Sequence, residues 1–234
     1  MKKQSSIAMV AMLVVLTYTA TMAQSSADKP PPSSRGGATT SNKPELKLTK
    51  RDILNYDKIT FLGIDLTETI FVGGYEEWKS EDELKRLNPQ WNQLMASEAD
   101  KYNLRRALRN NNIDYQVGIC IDHNDNVNFK EKITFTDPDK PLTSEQIQNI
   151  VKSYDFKDLT GLGMMFVIES FNKNKAEGTM ILTFVNLNNK EIIYEERLSG
   201  PSAGFGLRNH WARTILEAII QVDKKRYKAW EKTF

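Results

Sequence analysis

Cysteine and histidine are scarce in this 234-residue sequence, and their scarcity excludes several kinds of site. The one cysteine, Cys120, cannot form an internal disulfide, so the fold must be held together by its hydrophobic core. Cys120 lies in an apolar run, which predicts a buried structural thiol rather than a nucleophile. The two histidines, His123 and His210, are too few to build a three-histidine zinc site.

A long apolar run is also missing at the N-terminus, where residues 1–23 have the pattern of a secretory signal. Lys2 and Lys3 precede the apolar run Ile7–Leu16, which is too short to span a membrane as a helix. Small residues then lead to Ala23, after which we expect cleavage. The alternative is a short membrane anchor, although no cysteine near Ala23 could carry a lipoprotein anchor. The sequence therefore predicts a periplasmic or secreted protein.

Neither sign of charge is in excess. The sequence has 32 Lys and Arg against 30 Asp and Glu, a net formal charge of +2. Cleavage after Ala23 would remove Lys2 and Lys3 and no acidic residue, leaving a net charge of zero. This balance gives no support for binding to nucleic acid or to an anionic membrane. The composition, 40% hydrophobic and 26% charged, is typical of a globular domain.

Beyond the predicted signal, the chain divides into a tether and one domain. Residues 24–45 are rich in Ser, Pro and Gly and nearly free of large apolar side chains, which predicts a flexible tether. Residues 46–234 predict a single α/β (α+β) domain with one mixed β-sheet of about five strands and three helices packed on it. The apolar patterns place strands at Lys58–Val72, Tyr115–Ile121, Leu162–Ile168, Met180–Val185 and Ile192–Leu198.

The helix signals fall between and after these strands. Asn88 and Pro89 predict the start of a helix that runs to about Arg109. Thr143 and Gln146 form a capping box for a helix over Ser144–Ser153, and a final helix is expected from about Leu207. Asn188 and Asn189 suit a hairpin turn before the last strand, whose wetter face predicts an edge position.

The first candidate site is a polar segment after the second predicted strand. Asp122, Asn124 and Asn126 match the first three ligand positions of an EF-hand calcium loop. The match then fails, because Val127 replaces the turn glycine and Ile133 stands where a bidentate glutamate is needed. The alternative interpretation is a polar turn with Asx hydrogen bonds.

The second candidate site is the glycine-rich corner Gly200–Gly206, between the last strand and the last helix. Backbone amides at a helix start can hold a phosphate or carboxylate, which makes Gly204, Gly206, Arg208, Asn209 and His210 candidate ligand-binding residues. The corner lacks the third glycine of a dinucleotide-binding loop and the Gly-Lys-Ser/Thr of a Walker loop. The alternative is that its glycines only permit tight strand-to-helix packing.

Catalytic patterns are weak in this sequence. His210 could join Ser199 or Ser202 and an aspartate in a hydrolytic triad, but no Gly-x-Ser-x-Gly elbow is present. Asp65 and Glu68 are spaced to lie on opposite faces of a strand, which argues against a shared acid–base site. No motif for a cofactor is present, so none is expected.

The segment Gly178–Gly200, a strand, the Asn188–Asn189 turn and a strand that ends in the glycine corner, resembles part of a known class. It is similar in element order to the amino-terminal domains of TolB and to CsgG-like curli-secretion domains, and to other exported proteins of Gram-negative envelopes. The resemblance covers roughly Lys58–Val222 and rests on topology. It implies an α/β envelope module that binds or assembles with another protein.

Three functions remain open from the sequence. The first is a non-enzymatic envelope protein with a protein partner, no nucleic acid and no integral membrane segment in the mature chain. The second is a small-ligand or anion binder that uses the Gly200–Gly206 corner. The third is a hydrolase that uses His210 or the Asp122–Asp125 segment.

Overall fold

The computed structural model describes residues 46–138 and 140–234 and has a mixed α/β fold. The predicted signal and the predicted tether lie outside the described residues. The strands are β1 Ile59–Asp65, β2 Ile70–Val72, β3 Ile113–Tyr115, β4 Ile133–Thr134, β5 Leu162–Asn172, β6 Glu177–Asn186 and β7 Glu191–Pro201. The helices are α1 Asp52–Asn55, α2 Glu81–Ser97, α3 Leu104–Ala107, α4 Gly118–Asn124, α5 Phe129–Lys132, α6 Ser144–Ser153, α7 Gly206–Gln221 and α8 Tyr227–Thr233. A 3₁₀ turn covers Tyr75–Trp78.

The sheet is organised around β5, which has neighbours along both sides. On one side it runs parallel to β1 and then to β2, which lie end to end in the same row. The short strands β3 and β4 flank β1 and β2, also in parallel. On the other side β6 and β7 add antiparallel strands. The described strands thus number seven but fill five rows, and the predicted mixed sheet is confirmed.

Side-chain alternation on the central strands explains why helices cover both faces. Every residue of β5 is buried. Met164, Phe166 and their alternates face the large core beneath α2, α7 and α8. Met165 and Val167 face a smaller core that holds Ile147, Ile150 and Val151 of α6. The capping box at Thr143 and Gln146 is present as predicted. Among the described strands β7 pairs with β6 alone, so its predicted edge position is also confirmed.

The glycine corner brings helix α7 close to the sheet. A Cβ on Gly200 would lie 2.6 Å from the carbonyl oxygen of Thr214 and 2.8 Å from Cβ of Glu217. A Cβ on Gly178, directly opposite Gly200 in the ladder, would lie 2.6 Å from the side-chain hydroxyl of Thr214. Only residues without a Cβ allow the helix backbone to approach β6 and β7 this closely. Gly200 therefore has the structural role considered for the glycines of this corner, which is to permit tight packing of a helix on a strand.

The start predicted at Asn88 and Pro89 for the first long helix is wrong. Helix α2 begins at Glu81, where Ser80 is the N-cap and its hydroxyl accepts from the amide of Glu83 at 3.1 Å, so Pro89 lies inside the helix. The helix ends at Ser97, and residues 104–107 form the separate α3. The buried stripe starts with Leu84, before the proline, and its packing offsets the hydrogen bond that a proline removes.

The strand predicted at Tyr115–Ile121 is also wrong over most of its length. β3 ends at Tyr115, and Gly118–Asn124 forms helix α4 instead. Ile119, Cys120 and Asn124 are buried at helical spacing. A short apolar run is ambiguous between a strand and a buried helix, and here the tertiary contacts favour the helix. The short elements β4 and α5 have no counterpart among the predicted ones, and the described helices exceed the predicted three.

The C-terminal helix is continued by a π-helical turn. Val222–Arg226 is π-helical and joins α7 to α8 without a break. Val222 and Tyr227 are both buried, five residues apart, whereas an α-helix would turn Lys225 or Arg226 toward the core. The wider turn takes up the extra residue, so the apolar stripe stays on the core and Lys224 and Lys225 stay in solvent, while the half-buried Arg226 pairs with Glu196 at 3.2 Å.

Candidate functional site

Several strands end at one edge of the sheet, which we call the carboxyl edge. β2, β4 and β5 run parallel and end at Val72, Thr134 and Asn172. β7 runs in the same direction, because both β5 and β7 are antiparallel to β6, and it ends beside them at Pro201. Ligands of open α/β sheets commonly bind outside the carboxyl ends of the strands, so the segments that follow these residues define the candidate site.

A groove of about 480 Å³ lies at the carboxyl edge. Of the predicted ligand residues, Gly204, Gly206 and His210 line this groove. The other two predicted residues, Arg208 and Asn209, are exposed and lie outside its lining, where the Arg208 Nε donates to the Asn209 Oδ1 at 3.2 Å. Residues contributed by other segments complete the lining: Glu77, Lys79, Lys173, Ala176 and Leu207.

The start of helix α7 lies beside the groove and has no side-chain cap. Gly204 and Gly206 have φ values of +113° and +77°, a region that favours glycine. Phe205 lies between them at the N-cap position and supplies no side-chain hydrogen bond to the first turn. The amides of the first turn therefore keep the partial positive charge of a helix N-terminus.

Two lysines give the groove a positive character. Lys173 directly follows β5, its Nζ lies 4.9 Å from the ring centre of Trp78, and it donates to the carbonyl oxygen of Glu77. Partial burial lowers the pKa of Lys173, and the negative charge of Glu77 opposes that shift. Lys79 has a φ of +68°, which is uncommon for a residue with a side chain. An anionic group in the groove would lie beside Lys173, the helix N-terminus and Lys79, whose ammonium also pairs with Glu83 at 3.9 Å.

Exposed aromatic side chains accompany the groove. Phe205 is 97% exposed, Phe135 is 76% exposed and Tyr75 is 41% exposed. Phe205 lies between two lining glycines. Phe135 follows β4, and its Cε1 lies 3.5 Å from the position a Cβ would take on Gly74, the residue before Tyr75. The apolar exposure at this edge is unusual because such rings are normally buried.

The residues of the predicted calcium loop do not share a site. Asn124 is buried in helix α4, where its side chain is bonded to the amide of Leu66, the carbonyl of Ile64 and Oδ1 of Asn88. Asp122 pairs with Lys157 at 3.6 Å, and the amide of Asn126 contacts the carbonyl of His123. These contacts give calcium binding no support.

Buried asparagines take the place of a missing strand beside β1. β3 pairs with β1 only at residues 59–61, which leaves the backbone of Ile64 and Leu66 without a strand on that side. Asn92 accepts from the amide of Ile64 at 2.7 Å, and Asn124 accepts from the amide of Leu66 at 2.8 Å. Asn88 links the two side chains. Sequence reasoning missed this cluster, although three asparagines within apolar helix faces were a usable signal.

Another polar cluster lies around the buried carboxyl group of Asp65 at the end of β1. The Tyr154 hydroxyl donates to Asp65 Oδ2 at 2.5 Å, and the Thr67 hydroxyl donates to Oδ1 at 2.8 Å. Burial raises the pKa of Asp65, while these hydrogen bonds lower it. Cys120 is buried as predicted, and burial raises the pKa of its thiol well above the usual value. Such a thiol is a poor nucleophile at neutral pH.

His123 contacts a serine, but the geometry does not activate it. The Ser153 Oγ lies 3.1 Å from the His123 Nε2 and donates to the carbonyl of Ile150 at 2.7 Å. Its proton is thus held by a helix carbonyl rather than by the imidazole that would have to remove it. His210 packs edge-on against Trp211, with 5.1 Å between ring centres. Within residues 46–138 and 140–234, no cluster of three or more His, Cys, Asp or Glu could hold a metal.

Comparisons of the sequence with protein families and with curated proteins return no relative. No protein family matches the sequence. No curated protein matches it with significant similarity. The described helices include none that is both long enough and apolar enough to cross a membrane.

Proposed function

We propose that this chain is an exported, non-enzymatic module of the bacterial envelope that binds a partner protein through the carboxyl edge of its sheet. The observation that carries the proposal is Phe205, an almost fully exposed aromatic ring on the rim of a groove. Burial of a phenylalanine side chain contributes about 1.5–3 kcal/mol. Aromatic side chains at the centre of an interface commonly supply much of its binding energy.

The surroundings of Phe205 suit a protein partner. Phe135 and Tyr75 add apolar surface at the same edge, while Lys79, Lys173 and Glu77 supply polar contacts. An apolar centre with a polar rim is the usual arrangement of a protein–protein interface. The predicted secretory signal and the resemblance to envelope domains support an envelope location.

A photoreactive phenylalanine analogue at position 205 tests this proposal. We expect irradiation of cells to give one defined adduct at position 205 and none at position 158. Asp158 is the control because it is exposed and precedes β5, at the opposite edge of the sheet. Mass spectrometry identifies the attached protein.

A substitution then separates binding from folding. Phe205→Ser should lower the yield of the adduct made from a second probe at position 135 by at least tenfold, since the interface loses its central ring. Its melting temperature should stay within about 1 °C of the parent because Phe205 is exposed. Equal labelling at positions 205 and 158, or an adduct that contains only this chain, would contradict the proposal.

A second candidate function, binding of a small anion, is favoured by one specific arrangement. The uncapped start of α7 and the ammonium groups of Lys79 and Lys173 meet at the same groove. Inorganic phosphate at 100 times its dissociation constant should stabilise the protein by about 2.7 kcal/mol. Lys173→Gln should abolish this stabilisation by phosphate, which is read as a rise in melting temperature. The control variant Lys152→Gln, on α6, should retain it. No shift with phosphate, sulfate or nucleotides in the parent protein would eliminate this candidate.

A further inference from the structure

Basic side chains collect on one surface that the overall charge of the sequence does not reveal. This surface, which we call the basic face, combines the short helix α3 and the two residues after it with the π-helical turn and the start of α8. Its exposed cationic residues are Arg105, Arg106, Arg109, Lys224, Lys225 and Lys228, whereas Arg226 in the same turn is half-buried and its charge is offset by Glu196 at 3.2 Å. The basic face lies away from the groove, on the helix end opposite Gly206.

Contacts between the two segments hold the basic face together. Asp223 accepts from Arg109 Nη1 at 2.5 Å and lies 3.1 Å from Arg106 Nε. The Arg109 Nη2 also donates to the carbonyl of Asp223 at 2.9 Å, and its guanidinium lies 5.3 Å from the ring centre of Tyr227. One carboxylate thus serves two arginines, which keeps the cations of α3 beside those of the C-terminal helix.

Most of the positive charge on the basic face has no internal partner. Six cations stand against the single carboxylate of Asp223, a net formal charge of +5. In the described part of the chain, Arg105, Lys224, Lys225 and Lys228 make no ion pair. Glu231 and Lys232, further along the same helix, offset each other. Unpaired like charges produce a strong local potential that attracts anions.

The π-helical turn determines which of these basic side chains face the solvent. Because Val222 and Tyr227 both face the core, Lys224 and Lys225 lie on the outer side of a wider turn, followed one turn later by Lys228. A regular α-helix would place Arg226, rather than Tyr227, on the side of Val222. The wider turn thus keeps Val222 and Tyr227 on the core while the three lysines are exposed.

We propose that the basic face binds peripherally to a membrane surface that bears anionic phosphate headgroups. Lysines and arginines that project from one side of two adjacent helices can all approach a plane. Each basic residue near an anionic lipid surface strengthens binding by about fivefold. The aromatic rings beneath the face are covered by cations, Tyr115 by Arg105 at 6.0 Å and Tyr227 by Arg109, so they do not offer stacking platforms for bases.

Vesicle co-sedimentation tests the proposal with the full chain. Vesicles of phosphatidylcholine alone measure any binding that the apolar run at Ile7–Leu16 contributes, and vesicles with 30% phosphatidylglycerol add the anionic charge. We expect the parent protein to bind the anionic vesicles at least 100-fold more tightly, and 0.5 M NaCl to remove that difference, since the Debye length falls to about 4 Å.

Matched triple variants locate the binding. The variant Lys224→Gln, Lys225→Gln, Lys228→Gln should lose about 100-fold in binding to anionic vesicles. The control changes three other exposed lysines, Lys130, Lys140 and Lys152, to Gln and should lose less than threefold. Circular dichroism checks that both variants fold.

Three results would each overturn the proposal. Equal binding of the parent protein to neutral and anionic vesicles would show that charge does not drive the interaction. Equal losses in the two triple variants would show that total charge, not the basic face, matters. Tight binding to a single-stranded oligonucleotide without binding to anionic vesicles would assign the face to nucleic acid instead.

Discussion

Removal of the Asn92 side chain tests whether the buried asparagines hold β1 in place. Asn92 is fully buried, and its Oδ1 is the partner of the Ile64 amide at 2.7 Å. Its Nδ2 donates to the carbonyl of Ile64, which also accepts from Asn124 at 2.8 Å. Asn92→Ala therefore leaves the amide of Ile64 without a partner while the carbonyl keeps one.

The cost follows from these contacts. A buried amide without a hydrogen bond costs about 1–3 kcal/mol. The void left by the carboxamide adds on the order of 1 kcal/mol. We therefore expect Asn92→Ala to lower the free energy of unfolding by about 2–4 kcal/mol, which with a urea slope of about 2.5 kcal/mol/M moves the midpoint down by roughly 1.2 M.

Urea unfolding followed by circular dichroism measures this loss. Asn111→Ala is the control, because Asn111 is exposed, and it should change stability by less than about 0.5 kcal/mol. The double variant with Asn124→Ala should deviate from additivity by more than about 0.5 kcal/mol, because both side chains contact Ile64 and Asn88. Equal midpoints for Asn92→Ala and Asn111→Ala would refute the reasoning.

Three further predictions concern stability. Burial raises the pKa of Asp65 in the folded state above its value in an unfolded chain. The protonated carboxyl therefore contributes fully to the free energy of unfolding below about pH 4, and this contribution is lost as the pH rises through the folded-state pKa. Asp65→Asn should remove this loss in urea titrations between pH 4 and pH 8, and an unchanged profile would contradict the assignment. Gly200→Ala should destabilise by at least about 2 kcal/mol, because its Cβ would meet the carbonyl of Thr214; a loss below 0.5 kcal/mol would contradict the close approach. Gly118→Ala, with open space around the new Cβ, should raise the free energy of unfolding by about 0.4–1 kcal/mol, and a clear loss would show that its environment is misassigned.

The elements that sequence reasoning predicted well have strong local signals. α6 matches because Thr143 and Gln146 satisfy amides at its own N-terminus, and the hairpins of β5, β6 and β7 match because long apolar strands flank short polar turns. Gly63, a glycine within the first predicted strand, lies at the register shift between β1 and β5. Each of these signals acts within a few residues of the element that it specifies.

The candidate site could be predicted only in part. Gly204, Gly206 and His210 were identified because a glycine-rich strand-to-helix corner is recognisable in sequence. Lys79 and Lys173 were not, because they come from separate segments that only the sheet brings together. The metal prediction relied on the alternate spacing of Asp122, Asn124 and Asn126 in an extended loop. Because residues 118–124 are helical, this spacing does not direct the side chains toward one ion.

The sequence by itself determined the mixed sheet, its edge strand β7 and the helices α6 and α7, because periodicity and caps are local properties of the chain. The tertiary structure decided the rest: the start of α2 before Pro89, the helical state of α4, and the π-helical turn that keeps Val222 and Tyr227 on the core. Where a local preference conflicts with the burial of apolar side chains between distant segments, the burial is the larger free energy.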